Sequence, residues 1–254
     1  MIRRHLSQTD STSSWLRQNG HKLGNTDEPV VVTADYQTAG RGQGSNHWES
    51  QPAQNLLFSL RVCPSFLPPE RQFILSKTFA VALCEVLGSY ADGMTVKWPN
   101  DIYWHDRKIS GTLIELQLQG GRIGSAIIGA GVNINQRQFF SDAPNPVSLW
   151  QIIRQETDRE EVLDSILSTF MRHYGELAHA TTGALSEQKV GSIDALYHQK
   201  LYRKDGYHSY RDANGEFTAR IDHVADNGTL YLMDSQGCSR CYSFKEVAFV
   251  IQQP

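Results

Sequence analysis

The stretch Thr33-Ala-Asp-Tyr-Gln-Thr-Ala-Gly-Arg-Gly-Gln-Gly-Ser-Asn-His-Trp48 sets an arginine between paired glycines directly after a β-branched run, and nothing helical follows it. A Gly-Arg-Gly turn leaving a strand brings backbone N–H groups close to an oxyanion, while the guanidinium adds fixed charge and several donors. Such a turn suits phosphate or carboxylate. The familiar glycine-rich phosphate loops open a helix. Here Ser45 to Gln54 is polar and broken by Pro52, after which Asn55-Leu-Leu-Phe-Ser-Leu60 resumes as a strand. Neither a dinucleotide-binding turn nor a P-loop fits, and no Gly-Lys-Ser/Thr triplet with P-loop spacing occurs. Taken alone, Gly40 to Gly44 also reads as a flexible hairpin loop.

Outward from this turn, the pattern predicts strands over Val30–Ala34 and Asn55–Val62, and a helix that starts after Asp10 or Ser11, either of which can cap it. Apolar residues recurring between Glu70 and Leu87, behind Pro68-Pro69, predict a longer helix. Strands follow at 95–98, 112–118 and 123–134, and the Gly-rich, polar connection at 119–121 favours a hairpin over a βαβ crossover. Val162, Leu163, Ile166, Leu167, Phe170, Met171 and Tyr174 mark a second strong helix, and Ser192–Lys200 a third. After about Lys204 the chain turns to short alternating runs separated by Asp205-Gly206, Asn214-Gly215, Asn227-Gly228 and Gln236-Gly237. Repeated short strands at this spacing predict a small β-barrel with core strands at 217–221, 230–233 and 244–250. The expectation is an α+β domain over residues 1–203, its mixed sheet largely antiparallel, followed by a barrel over 204–254.

Composition narrows the function class. A chain of 254 residues, 40% hydrophobic, can bury one large core plus a small satellite. A net charge of -3 and a pI near 6.3 lack the basic surplus of a nucleic-acid protein. Arg3 and Arg4 precede no apolar segment of signal length, and no stretch approaches membrane-spanning length, so a soluble, cytoplasmic protein is expected. Cys63, Cys84, Cys238 and Cys241 are too few for a disulfide scaffold. Cys238-Ser-Arg-Cys241 has redox or metal spacing but no second pair, and reads as ordinary thiols.

Three further segments stand beside the arginine turn: Asp10-Ser-Thr12, then Val96-Lys-Trp-Pro-Asn-Asp-Ile102 running on to Arg107-Lys-Ile-Ser-Gly-Thr-Leu-Ile-Glu115, then Ile127-Ile-Gly-Ala-Gly-Val-Asn-Ile-Asn135. In this order, over most of residues 1–135, they resemble the catalytic domain of biotin protein ligases, which activate biotin with ATP and attach it to a carrier lysine. The resemblance implies a fold like that of class II aminoacyl-tRNA synthetases and biotin ligases, with an SH3-like C-terminal barrel. It implies ATP and Mg²⁺ as cofactors, biotin as substrate and the biotin carboxyl carrier of a biotin-dependent carboxylase as partner. It leaves the oligomeric state open, a homodimer included.

Joining a carboxylate to an α-phosphate brings two anions together, so positioned cations must screen them. The resemblance assigns Arg41 to grip the carboxylate and phosphate, and Lys108 as the second cation beside the acyl-phosphate oxygens. Asp101 orients a basic side chain or a Mg²⁺-bound water. Biotin contacts are carried over to Ser11, Thr12, Gln37 and Gly40, with the backbones of Gly111, Gly129 and Gly131 as slot walls. Adenylate contacts fall on Gly42, Gln43, Asn100 and Asn133, with Trp48 closing over the adenine. Each has a plainer reading: Lys108 as a solvated lysine in the turn His105–Lys108, Asp101 as a turn residue, Trp48 as core, Asn133 as a strand-end cap, Ser11 and Thr12 as a helix cap. The sequence departs from the family at Gln43, where a second arginine is usual, and at Ser13, where asparagine is usual. Only about nine residues precede Asp10, too few for a winged helix, so no operator binding is expected. The rival readings are a lipoate or octanoate ligase or transferase, which lacks the Lys-Trp-Pro-Asn-Asp segment, and a non-catalytic biotin-binding module, which would have lost a central cation.

Overall fold

The computed structural model describes residues 1–23, 27–42, 47–141, 143–179 and 184–251. Its main sheet has seven strands: β1 (Ile2–Thr9), β2 (Val30–Gln37), β3 (Leu56–Val62), β4 (Met94–Lys97), β5 (Asp101–Trp104), β6 (Arg107–Gln119) and β7 (Arg122–Val132). The spatial order is β1-β2-β3-β7-β6-β5-β4, and every ladder but the parallel β1–β2 pair is antiparallel. β1 escaped the sequence pattern because Ile-Arg-Arg-His-Leu-Ser-Gln-Thr offers only Ile2 and Leu6 to an apolar face, and the edge leaves Arg3, Arg4 and His5 exposed. Its pairing comes from the Val30–Ala34 run beside it, whose first three valines are fully buried.

Helix α1 (Thr12–Asn19) links β1 to β2. Ser11 occupies its N-cap position, yet neither candidate side chain caps the helix: Asp10 Oδ1 instead accepts the Ser11 N–H at 2.6 Å. Helix α2 (Phe73–Gly88) follows a short 3-10 turn at Pro69–Arg71 and is buried on nearly every side, packing against α4 (Arg159–Leu177) and α5 (Glu187–Gln199). The small helix α3 (Leu149–Ile153) carries a capping box between Ser148 and Gln151, and Asp158 caps α4 by accepting the Glu160 N–H at 2.8 Å. α5 starts five residues before the expected Ser192, because Ser186 and Glu187 lead into a turn with too few apolar residues to register as periodic.

The tail forms β8 (His208–Asp212), β9 (Gly215–Val224), β10 (Leu230–Asp234), β11 (Ser239–Tyr242) and β12 (Ala248–Phe249). Their order is β11-β10-β9-β8-β12, all antiparallel, and among the described residues no ladder joins β11 to β12. The sheet is therefore open where a closed barrel was expected. The last predicted strand shrinks to Ala248–Phe249, since Lys245 takes φ 73° and Phe244 turns outward. Tyr210, Ala219, Ile221, Leu230 and Leu232 bury into the same apolar core as α2 and the main sheet.

Polar contacts lock the tail in place. Trp98 Nε1 donates to Gly228 O at 2.9 Å. Lys77 of α2, only 1% exposed, donates to Val224 O at 3.0 Å, pairs with Asp194 of α5, and lies 5.6 and 5.5 Å from the ring centroids of Phe73 and Tyr197. Val224 N–H donates in turn to His198 Nε2 at 2.9 Å. Burial pushes the Asp194 carboxyl up, but hydrogen bonds from His198 and Lys77 outweigh it and hold the group at about 2. Among the described residues no helix is long and apolar enough to cross a membrane.

Candidate active site

A cleft of about 690 Å³ opens on the main sheet where β3, β7, β6, β5 and β4 run side by side, with the β11–β12 connection as its far wall. Its floor is made by missing side chains. Gly111 on β6 faces Gly131 on β7, and Gly129 follows on the same face. The Trp48 indole lies in the resulting trough: a Cβ on Gly131 would come within 2.3 Å of Trp48 Cε2, and one on Gly111 within 2.9 Å of Cζ3. The indole Nε1–H is buried with no hydrogen-bond partner among the described residues. A donor shut away from water without an acceptor is costly.

One end of the trough is a cluster of hydroxyls. Gln37 Oε1 accepts from the Thr12 N–H at 2.8 Å and from Thr12 Oγ1 at 3.1 Å, and the Ser59 hydroxyl lies 2.8 Å from both Thr12 Oγ1 and Ser13 Oγ. Ser11 lines the same end. A Cβ at Gly129 would strike Ser13 Oγ at 2.5 Å, so this glycine permits the close approach.

The other end is ionic. Lys108 is a strand residue, not the turn residue its sequence suggested, because the β5–β6 hairpin turns tightly at His105 and Asp106. Its Nζ donates to Asp101 Oδ2 at 2.6 Å and stands 5.8 Å from the Trp48 ring. Asp101 opens β5, so the lysine and the carboxylate meet across one hairpin. Arg41 also lines the cleft, but its guanidinium is held by Glu115 at 3.0 and 3.4 Å, and Glu115 receives Arg17 as well. Gly42 lines the cleft, Gly40 sits behind it accepting the Trp48 N–H at 3.0 Å, and Gln43 lies outside the described residues.

Asn133 donates through Nδ2 to Val147 O at 3.1 Å, as a strand-end cap would, and leaves a buried Oδ1 without a partner among the described residues. Asn100 stands apart from the other predicted residues. It is buried against α2 with Nδ2 on Ser76 Oγ at 3.0 Å and does not line the cleft.

Sequence reasoning passed over several cleft residues. Thr112 has a buried hydroxyl with no partner among the described residues, and Tyr103, Lys97, Phe244 and Lys245 line the cleft as well. Glu49 accepts the backbone N–H groups of Phe140 and Ser141, both at 2.8 Å, and so ties the loop after β7 to the loop that carries Trp48. Burial raises the Glu49 pKa, but these hydrogen bonds prevail and its carboxyl sits below the usual range. Lys97 had a signal, since it belongs to the quoted Lys-Trp-Pro-Asn-Asp segment; Glu49 had none, because its partners are some ninety residues away.

An apolar trough with hydroxyl donors at one end and cations at the other fits a ligand with an uncharged polar head and an anionic tail. The comparisons agree with this geometry. The model of the biotin/lipoate A/B protein ligase family matches residues 6–133. The bifunctional ligase/repressor BirA of Bacillus subtilis is 32% identical over 246 residues, covering 94% of this chain and 72% of BirA.

The chain belongs to the biotin/lipoate A/B protein ligase family.

Within that family, the biotin--[acetyl-CoA-carboxylase] ligase of Paracoccus denitrificans is 29% identical over 182 residues, covering 68% of this chain and 72% of that ligase. Among solved structures, the biotin protein ligase of Aquifex aeolicus in complex with biotin and ATP superposes with a TM-score of 0.78 at 23% identity, over 99% of each chain. The likeness extends through the tail sheet.

The glycine trough makes a prediction independent of the substrate's identity. Gly131→Ala must displace the Trp48 indole, because the new methyl would overlap ring carbons. Overpacking of this kind costs about 1–3 kcal/mol. Because Trp48 sits on a loop, the strain should appear in ligand binding more than in folding. The expected result is ligand affinity about tenfold or more weaker, with little change in thermal midpoint. An unchanged affinity would show that the ligand does not use the space over Gly131.

Proposed function

We propose that this chain is an ATP-dependent biotin protein ligase. It converts biotin and ATP to biotinyl-5'-AMP and pyrophosphate, then passes biotin to a lysine of a carboxyl-carrier domain. The supporting observation is the cleft itself: hydroxyl groups, a glycine trough and the Lys108–Asp101 pair line one cleft in a chain of this family. In this reading the ureido ring of biotin meets Ser11, Thr12 and Gln37, its apolar body takes the place of the Trp48 indole along Gly129 and Gly131, and its carboxylate points to Lys108.

The biotin carboxylate oxygen attacks the α-phosphorus and the bond to the β-phosphate oxygen breaks, leaving pyrophosphate with the electron pair. Lys108 supplies positive charge where oxyanion charge accumulates, and Asp101 fixes its ammonium against the hairpin. Arg41 reaches the reacting anions by exchanging Glu115 for them. Trp48 offers its ring face to the adenine, and the unpartnered Asn133 Oδ1 is free to accept an adenine N–H. In the second half-reaction the carrier amine attacks the acyl carbon and AMP departs. No side chain of the ligase itself acts as a nucleophile.

Among the described residues no three metal-ligating side chains cluster, which suits an ion carried by the phosphates of ATP and touched by one carboxylate, Asp101. Mg²⁺ bound there would neutralise phosphate charge. The tail, residues 204–254, is read as an SH3-like module that walls the cleft.

Biotin-dependent exchange of labelled pyrophosphate into ATP tests the proposal, run beside lipoate. Exchange with biotin alone is expected. Exchange with lipoate alone would move the chain to the lipoate branch of the family. No exchange with either acid, from folded protein supplied with Mg²⁺, would replace the enzyme by a binding module.

A further inference from the structure

Lys97 is a cation of the cleft that the scheme above leaves unused. On β4 it faces Asp101 of β5, while Tyr103 of β5 faces Lys108 of β6. All four line the cleft. Adjacent strands lie about 4.8 Å apart, so Lys97 stands about two strand spacings beyond Lys108 along the sheet.

The direction of that displacement matters. The hydroxyl end of the trough lies over β3 and β7, Lys108 is on β6, and Lys97 is further on in the same order. In phosphoryl-type displacement the attacking and leaving oxygens are in line. A carboxylate arriving from the β7 side therefore expels its leaving group toward β5 and β4, where Lys97 is.

The environment of Lys97 is that of a cation lacking its anion. Asp101 is bonded to Lys108, and among the described residues no carboxylate lies within ion-pair distance of Lys97. Its Nζ is 5.4 Å from the Tyr103 ring centroid and 4.9 Å from that of Phe249 on β12. Burial lowers the Lys97 pKa, Asp101 raises it, and Lys108 and Arg203 lower it again. Ring faces recover only part of the lost hydration of an ammonium. Lys245, exposed on the loop before β12, brings a further positive charge to the same end of the cleft.

We propose that Lys97, caged by Tyr103 and Phe249 and assisted by Lys245, seats the terminal phosphates of ATP and the departing pyrophosphate. The seat rests on the ligase reading and extends it: the tail sheet becomes part of the leaving-group pocket. Lys97 acts by charge alone, so no proton moves to or from it when the bond between the α- and β-phosphates breaks.

The test uses the full chain, with Lys97→Gln, Lys97→Arg and Lys245→Gln. Exchange kinetics are compared with transfer to carrier from supplied biotinyl-5'-AMP, a step without pyrophosphate. For Lys97→Gln the KM values for ATP and pyrophosphate should rise about tenfold or more, as for loss of a charged hydrogen-bond donor. The KM for biotin and the transfer rate should stay within about twofold. Lys97→Arg should recover much of the loss, and Lys245→Gln should show the same pattern more weakly without affecting folding. Unchanged constants for ATP and pyrophosphate, or an equal loss in transfer, would overturn the seat. Should wild type show no exchange, the ligase reading fails on its own. Calorimetric binding of pyrophosphate to wild type and Lys97→Gln then decides the seat separately: weaker binding by the variant upholds it, and equal binding rejects it.

Discussion

Replacing Lys108 by alanine should lower biotin-dependent pyrophosphate exchange by about a hundredfold to a thousandfold, the loss seen when one donor aimed at developing oxyanion charge is removed. Two effects add. The ammonium that screens the carboxylate and α-phosphate disappears, and Asp101, bonded to it at 2.6 Å, is left as an unpaired negative charge facing the same anions. Folding should survive, because Lys108 keeps 31% of its side-chain surface exposed. The double variant Lys108→Ala with Asp101→Asn separates the two effects. A double variant faster than Lys108→Ala would assign Asp101 to the lysine alone, and a slower one would assign it to the metal as well, while Asp101→Asn alone should cost less than Lys108→Ala. Exchange that persists in Lys108→Ala would remove this lysine from the chemistry.

The second large effect is on stability. Asp194→Ala leaves Lys77, at 1% exposure, without its counter-ion. Breaking a buried pair from one side typically costs about 3–5 kcal/mol. Since Asp194 itself is part-exposed, the lower end applies, and about 3 kcal/mol lowers the thermal midpoint of a chain this size by about 6–12 °C. Adding Lys77→Met should restore most of that loss, because a methionine fills the space between Phe73 and Tyr197 without charge. An additive double variant would mean that the two groups do not interact. The same pair gives a pH signature. The Asp194 carboxyl is held at about 2 in the folded chain against 3.8 as its ordinary value. Its contribution is thus complete above about pH 4 and disappears as the pH falls through about 2. Acid titration should show a step in wild type that Asp194→Ala lacks.

Much of this molecule is legible in its sequence where the determinants are local. The β6–β7 hairpin follows from two alternating runs and the Gly120-Gly121 turn between them, whereas the short β5 was not among the expected strands, although it sets Asp101 seven residues from Lys108 on one hairpin. What was illegible depends on distant partners. β1 has too few apolar residues to announce a strand and becomes one beside a buried neighbour. The tail's turns mark its strands, but barrel closure depends on whether its ends meet, and short β12 leaves them apart. Asn100 and Arg41 carry the right chemistry for a site, yet Ser76 and Glu115 decide where their side chains rest. Lys97 sat within the quoted motif, but only Phe249, far along the chain, reveals its cage.

Glu115 holds two arginines at once, Arg17 and Arg41. An incoming anion that draws Arg41 away leaves the carboxylate with Arg17 still on it. Arrival of ligand is then a counter-ion exchange in which no bare charge is created at either end. Both arginines are well exposed, so added salt competes with the resting pair as well as with the ligand. The barrier to swinging Arg41 inward should therefore fall, and ligand attraction weaken, together as ionic strength rises, leaving the affinity less salt-sensitive than a free arginine would make it.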